Sequence, residues 1–324
     1  MSFKCKLKRF KLLVNIYSCL KSNFYCMLTI ISPVLNTKVR YRHAFHKKLD
    51  LTNPQTLNEK VLWLKLKLYM YNPLVIQCAD KYRVREYVEN CGCGEILNEL
   101  YSVYDTVDDI DWEELPDQFV LKWNFGAGCN IICTDKTRMN KEQTLNTLRK
   151  WGRKKYWLPY SEMQYKYIPK KMVCEKLLGF DISSKTRPDA KDWVASEDYK
   201  VYCFNGKPKF IMVCVGRGTD SHPKFYFFNT NWTLARINRD SINAPADFHL
   251  EKPECLEKLL DYASRLSAPF PFVRVDFYIV DNKIFFGELT FTPSGGLDTN
   301  RLPETDIMMG NLVDISCESL TVMK

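Results

Sequence analysis

Residues 272–296 read FVRVDFYIVDNKIFFGELTFTPSGG, and within them two apolar runs, Phe272–Val280 and Lys283–Phe291, are separated only by Asp281-Asn282. Two strand-like runs joined by two such residues read as a tight antiparallel hairpin. The hairpin is apolar enough for a core, yet one strand carries Arg274 and Asp276 and the other Glu288 and Thr290. In a strand, residues i and i+2 project from the same face, so Arg274, Asp276 and Tyr278 share one face. Glu288 and Thr290 likewise share a face of the partner strand. Pairing through the turn brings Asp276 and Glu288 close, and two carboxylates so placed repel unless a cation sits between them. Oxygen ligands with neither His nor thiolate suit Mg2+ rather than zinc. The competing reading, Arg274 simply pairing with Asp276, leaves Glu288 without a role.

At 324 residues the chain has room for two or three packed subdomains. Thr56 or Asn53 starts a helix from Leu57 to Tyr71, and a second helix is predicted over about 73–90. Phe119–Trp123 and Asn130–Thr134 read as strands around Gly126-Ala-Gly128, and Lys171–Leu178 as another. The strands KVYCF and KFIMVCV meet at Asn205-Gly206, a hairpin signal; residues 140–156 and 253–266 read as helices, 98–118 as acidic turns leading to Pro116, and 180–197 as a loop. Helices, then mixed strands, then hairpins argue an α+β fold with its long strands antiparallel.

The net charge of +9 is uneven: residues 1–49 hold eleven Lys or Arg and no Asp or Glu, and the remainder carries 36 basic against 38 acidic residues. Lys21 interrupts the apolar runs of this arm, which excludes a transmembrane span, and no small-residue cleavage site follows. Two readings stand for it: helices packed on the body with a solvated basic face, or an arm held at an anionic membrane surface or glycan. The thirteen scattered cysteines form no C-x-x-C pair and read as reduced thiols of a cytoplasmic protein.

Three more stretches carry chemistry. In FVLKWNFGAGCN (119–130), Lys122 ends a strand before a Gly-x-Gly loop, which suits a phosphate clamp of backbone N–H groups and one charge; a plain hairpin is the bland alternative. In MVCEKLLG (172–179), Glu175 sits where it could bond ribose hydroxyls, Lys176 and adjacent backbone where they could read adenine, and Leu178 where it could pack on the base; a solvated Glu-Lys pair is the alternative. ADKYRVREYV (79–88) puts Lys81 near a helix start.

Together with LTNPQTLNEKVLWLK and DYKVYCFNGKPKFI, these segments stand in the order found in ATP-grasp enzymes. The chain resembles the TupA-like ATP-grasp family of bacterial surface-polysaccharide loci from about residue 42 to 315. The resemblance implies an arm (1–49), a helical subdomain for substrate (50–117), a clamp subdomain (118–179) and a C-terminal subdomain with the metal site (180–324), ATP lying between two α+β subdomains. It implies Lys81, Lys122 and the Gly126–Gly128 loop on the phosphates, and Glu175, Lys176 and the backbone near Leu178 on the nucleoside. Lys200, helped by Arg217, would reach the γ-phosphate, Asp276, Glu288 and Thr290 would hold Mg2+, and Arg274 would stabilise the oxyanion at the acyl centre.

The implied activity is ATP- and Mg2+-dependent joining of a carboxylate to an amine through an acyl phosphate, with a glycan or glycosyl carboxylate as acceptor and an amino acid or amine as donor. Nucleic acid is not an expected partner; peripheral contact of residues 1–49 with the anionic inner face of the membrane belongs to the second of the two readings of the arm. Two positions depart from the family pattern. Thr290 stands where Asn is common, and Phe125-Gly126-Ala127 where His-Gly-Ser is, so polar side chains are lost while backbone donors remain. A weakly active or purely binding remnant is therefore one alternative, and a glycosyltransferase using Asp109-Ile110-Asp111 another. A protein-kinase reading fails for want of an H-R-D-like loop.

Overall fold

The computed structural model describes residues 3–179, 198–216 and 223–316, with side chains from Tyr17 onward. The arm forms two helices, α1 (Phe3–Ile31) and α2 (Pro33–Phe45), the latter capped by Ser32 with Pro33 in its first turn. It is not free of the body. Tyr25, Leu28, Thr29, Asn36, Thr37 and Tyr41 are buried. The Asn36 amide donates to Thr29 Oγ1 (2.7 Å) and Ser161 Oγ (2.9 Å), and the Thr29 hydroxyl donates to the Leu158 carbonyl (2.6 Å). The packed reading of the arm thus describes its C-terminal half, while Leu20, Phe24, Met27 and Ile31 of α1 face outward.

Thr56 and Glu59 make a reciprocal cap on α3 (Leu57–Leu64), which runs into a π turn at Lys65–Tyr69. The helix predicted over 73–90 is two helices, α4 (Pro73–Ala79) and α5 (Val84–Asn90). The cause is Asp80, whose carboxylate accepts from the Tyr82 and Arg83 N–H groups and so offers the backbone an alternative to the helix. Lys81 lies in that break rather than in a helix.

Two antiparallel sheets follow. The first has order β1 (Leu100–Tyr104), β4 (Met172–Glu175), β2 (Phe119–Trp123), β3 (Asn130–Cys133); β1 falls in the stretch expected to hold acidic turns. Helices α6 (Lys141–Gly152) and α7 (Trp157–Tyr160) separate β3 from β4. The second sheet contains β5 (Asp198–Phe204), β6 (Lys207–Val215), β7 (Lys224–Asn229), β8 (Leu234–Ala235), β9 (Phe272–Val280) and β10 (Lys283–Thr290), in the order β10-β9-β5-β6-β7-β8. Asn205 and Gly206 adopt positive φ between β5 and β6, as Asp281 and Asn282 do between β9 and β10. Behind the second sheet, α9 (Leu256–Ser267) turns Leu259, Tyr262, Ala263 and Leu266 onto β5, β6 and β9. Each of the two buried leucines contributes about 2 kcal/mol. The short α8 (Arg239–Ile242) and α10 (Pro303–Gly310) complete the described fold. Among the described residues no helix is long and apolar enough to cross a membrane, and none of their cysteines is in a disulfide.

Candidate active site

The register of the β9–β10 hairpin decides its chemistry. A regular ladder from the Asp281-Asn282 turn would set Asp276 opposite Gly287 and put Glu288 on the other face. Instead the ladder shifts between Phe286 and Glu288, so Glu288 lies opposite Asp276 and Thr290 opposite Arg274. Gly287 is the extra residue, and a Cβ there would sit 2.9 Å from the Asp276 carbonyl. This bulge turns both acidic residues to one face. On the other side of β9, Lys200 of β5 lies opposite Asp276. Lys200, Asp276 and Glu288 therefore form one row across three neighbouring strands.

The row is neutralised by the protein's own cations. Lys200 Nζ lies 2.6 Å from Asp276 Oδ2 and 2.7 Å from Asp198 Oδ2. Arg274 donates through Nε and an Nη to the two Asp276 oxygens at 2.7 and 2.6 Å, and donates to Thr290 Oγ1 at 3.1 Å. The Thr290 hydroxyl in turn donates to Glu288 (3.3 Å), and Lys81 reaches Glu288 at 3.3 Å. Burial alone would push the Glu288 carboxyl up; Lys81, Arg274 and Lys200 together outweigh it and hold it at about 2. Burial would weaken the Arg274 guanidinium, but Asp276 beside it raises it above its ordinary value. Arg274 thus pairs with Asp276, and Glu288 still lies opposite it.

The first sheet supplies the opposite wall. Lys122 Nζ lies 2.6 Å from Glu175 Oε2, so these two residues, expected in separate roles, form one pair, with Arg85 3.9 Å from the same carboxylate. In the β2–β3 loop Gly126 and Gly128 have positive φ, and a Cβ on Gly126 would run into the Tyr156 ring. The Gly126 carbonyl accepts from Lys81 Nζ at 2.5 Å. Phe125, standing where a polar residue was noted as common, is buried against Trp123 instead of facing the cleft. The Lys176 N–H donates to the Glu99 carbonyl, its carbonyl accepts from Asn98 and its ammonium lies 3.3 Å from the Glu99 carboxylate, while Lys176, Leu177 and Leu178 all line the cavity.

Lys81, Lys122, Glu175, Lys200, Arg274, Asp276 and Glu288 line one cavity of about 710 Å³ with the Gly126–Gly128 loop, whereas Thr290 and Arg85 are not in its wall. Arg217 lies outside the described residues. Asp109 caps Thr106 and Asp111 accepts from the Glu113 N–H, so the acidic turn is local structure away from the cleft. Sequence reasoning missed Asp198, which period-two spacing from Lys200 signals. It also missed Asn124, buried in the quoted glycine-loop segment. Asn124 donates to Asp80 and Pro169, and its carbonyl receives the Lys81 N–H, so it fixes where Lys81 emerges.

Two antiparallel sheets closing on a lysine-lined cleft, one with a glycine loop and the other with a row of paired acids and bases, define an ATP-grasp protein. A family model described as TupA-like ATPgrasp matches residues 59–314, and the chain belongs to that family. No curated protein matches it. Among solved structures it is similar to D-alanine–D-alanine ligase from Bacillus anthracis complexed with ATP (15% identity, 76% of this chain and 64% of that one, TM-score 0.42). It is also similar to an L-amino acid ligase from Bacillus licheniformis (11%, 77% and 51%, TM-score 0.41). The chain therefore spans less than two thirds of the length of either.

Proposed function

We propose that the protein is an ATP- and Mg2+-dependent carboxylate–amine ligase that works through an acyl phosphate and modifies a bacterial cell-surface polysaccharide or its precursor with an amino acid or amine. The observation that supports this most is the Lys200–Asp276–Glu288 row facing the Lys122–Glu175 pair and the Gly126–Gly128 loop across a single cleft.

The residues fit a hard cation. Asp276, Glu288 and the Thr290 hydroxyl are an all-oxygen set on adjacent strands. Among the described residues no cluster of three or more His, Cys, Asp or Glu forms a metal site, so phosphate oxygens and water would complete the shell. The bound ion would offset charge on the phosphoryl group in transfer. Lys81 and Lys122, with the loop's backbone donors, hold the phosphates, and Glu175 and the backbone at Leu178 hold the nucleoside. Lys200 bears on the γ-phosphoryl group as an acceptor carboxylate oxygen attacks its phosphorus and the bond to the ADP oxygen breaks. The acyl phosphate then meets an amine: its nitrogen attacks the acyl carbon, Arg274 holds the oxyanion, phosphate departs, and the amine loses a proton to give the amide. Thr290 in place of Asn keeps an oxygen beside Glu288, which favours an active enzyme over a binding remnant.

The test is ADP release from the purified protein with a panel of uronate-containing glycans and amines. Release that requires both a carboxylate and an amine is expected. Consumption of a sugar nucleotide without ATP, or nucleotide bound but never hydrolysed with any pair, overturns the proposal.

A further inference from the structure

A second cavity, of about 250 Å³, lies where the arm meets the body, with Lys21, Tyr25, Arg40, His43, Tyr160 and Ser294 in its wall. Its chemistry is cationic. The Arg40 guanidinium is clamped between two aromatic faces, 3.7 Å from the Tyr25 ring centre and 4.1 Å from that of Tyr160. Such a clamp holds the planar fork rigid. Arg40 Nε is buried without a hydrogen-bond partner. Among the described residues no carboxylate lies within salt-bridge distance of Arg40, Lys21 or His43. Burial pulls Arg40 below its ordinary value, and the groups that oppose this are the two tyrosines and Cys26. Glu162 is held by the Thr292 hydroxyl and has Lys65 as a stronger cationic neighbour than Arg40. A fixed, half-buried guanidinium flanked by Lys21 and His43 lacks an anion.

The cavity also adjoins the catalytic cleft. Ser294 lines both, and it begins three successive residues with positive φ, four residues beyond the end of β10 at Thr290. Gly295 lies so close to the Tyr160 ring that a Cβ would stand 2.7 Å from it, and Lys65, buried, fixes that wall by donating to the Tyr160 carbonyl at 2.8 Å. A non-glycine residue held in the left-handed region costs energy that persists where a site over-determines it.

We propose that this cavity is the subsite for a negatively charged oxygen group, phosphate or carboxylate, on the glycosyl acceptor, whose reacting end passes Ser294 to reach the Asp276–Glu288 row. The arm is then part of the substrate site; this assignment of a substrate class rests on the ligase reading above.

The test follows the His43 imidazole by NMR in the full chain, with inorganic phosphate and glucuronic acid 1-phosphate as probes, while binding of a non-hydrolysable ATP analogue with Mg2+ is measured separately. Saturable shifts of His43 are expected with both probes, weakened about tenfold or more by Arg40→Gln and by Lys21→Gln, with nucleotide affinity unchanged. Lys21 is exposed, so its variant keeps the test open if Arg40→Gln misfolds. Absence of a His43 shift, or equal shifts in folded variants, overturns the subsite even where the nucleotide binds. A His43 response that persists in a chain binding no nucleotide overturns the ligase reading alone. Vesicles with and without phosphatidylglycerol form the last arm: a response to anionic vesicles but to neither soluble probe assigns the cavity to a lipid headgroup and overturns the acceptor.

Discussion

Replacing Glu288 by Gln keeps the side-chain shape and removes one charge from among Lys81, Arg274 and Lys200. Those cations hold the carboxyl at about 2 against an ordinary 4.5, despite burial pushing it the other way. A displacement of that size is worth about 3.4 kcal/mol in favour of the folded chain. The side chain is 36% exposed, and solvent screening reduces the figure to about 1–2 kcal/mol. Because the folded value is depressed, the contribution is fully present above pH 4.5 and is lost as pH falls towards 2. Urea unfolding followed by tryptophan fluorescence is therefore expected to separate wild type and Glu288→Gln by about 1–2 kcal/mol at pH 7, and by less than half of that at pH 3. A gap of equal size at both pH values, or no gap at pH 7, refutes the view that these three cations are its partners. The variant should also stay folded and lose ATP-dependent turnover; full turnover would refute the metal assignment.

Lys200→Met takes the shared lysine from buried Asp198, while Asp276 keeps Arg274, and should cost about 3 kcal/mol in urea unfolding; an unchanged midpoint would mean that Lys200 is not what compensates Asp198. Gly126→Ala forces a Cβ against Tyr156 at a positive φ and should weaken binding of a non-hydrolysable ATP analogue about tenfold, or 1.4 kcal/mol, in a titration; unaltered affinity would remove the glycine loop from the nucleotide site. Changing Leu20, Phe24, Met27 and Ile31 together to Ser should abolish sedimentation with anionic liposomes without altering the urea midpoint, whereas equal sedimentation counts against membrane contact by the arm. Removing residues 2–35 would be a poor substitute, because Tyr25, Leu28 and Thr29 are buried in the body.

The hairpins were legible because turn chemistry and apolar alternation agree at Asn205-Gly206 and at Asp281-Asn282. The pairing of Asp276 with Glu288 was legible only in outline, since the turn alone predicts a register in which they occupy opposite faces. The single residue that corrects it, Gly287, looks like any strand glycine until its contact with the Asp276 backbone is seen. The break at Asp80 hid for a related reason: 3.6-residue periodicity continues through α4 and α5, and only the side chain's local hydrogen bonds interrupt it. Strand β1 was missed because LYSVY lies beside an acidic turn and gains its identity from pairing with β4, a non-local cause. The cavity at Arg40 needed three segments, far apart in sequence, to meet.

The charge balance of the main cleft carries a consequence for ligand order. Five Lys or Arg and five Asp or Glu line it, and the closest contacts pair Lys122 with Glu175, Lys200 with Asp198 and Asp276, Arg274 with Asp276, and Lys81 with Glu288. A balanced cleft offers little net attraction to a triphosphate, and each lysine that turns to a phosphate strands a partly buried carboxylate. A second cation at Asp276 and Glu288 would relieve Arg274 and Lys81 of these partners, and Lys200 of its bond to Asp276. Nucleotide and divalent ion should therefore bind as a unit. Calorimetric titration with a non-hydrolysable ATP analogue is expected to show at least about tenfold tighter binding in Mg2+ than in EDTA. The double variant Asp276→Asn, Glu288→Gln frees the same cations by subtraction, so in EDTA it should bind the analogue more tightly than wild type while losing the response to Mg2+. Equal wild-type affinity in Mg2+ and EDTA, or a folded double variant that binds more weakly than wild type in EDTA, would show that these carboxylates do not hold the cations back from phosphate.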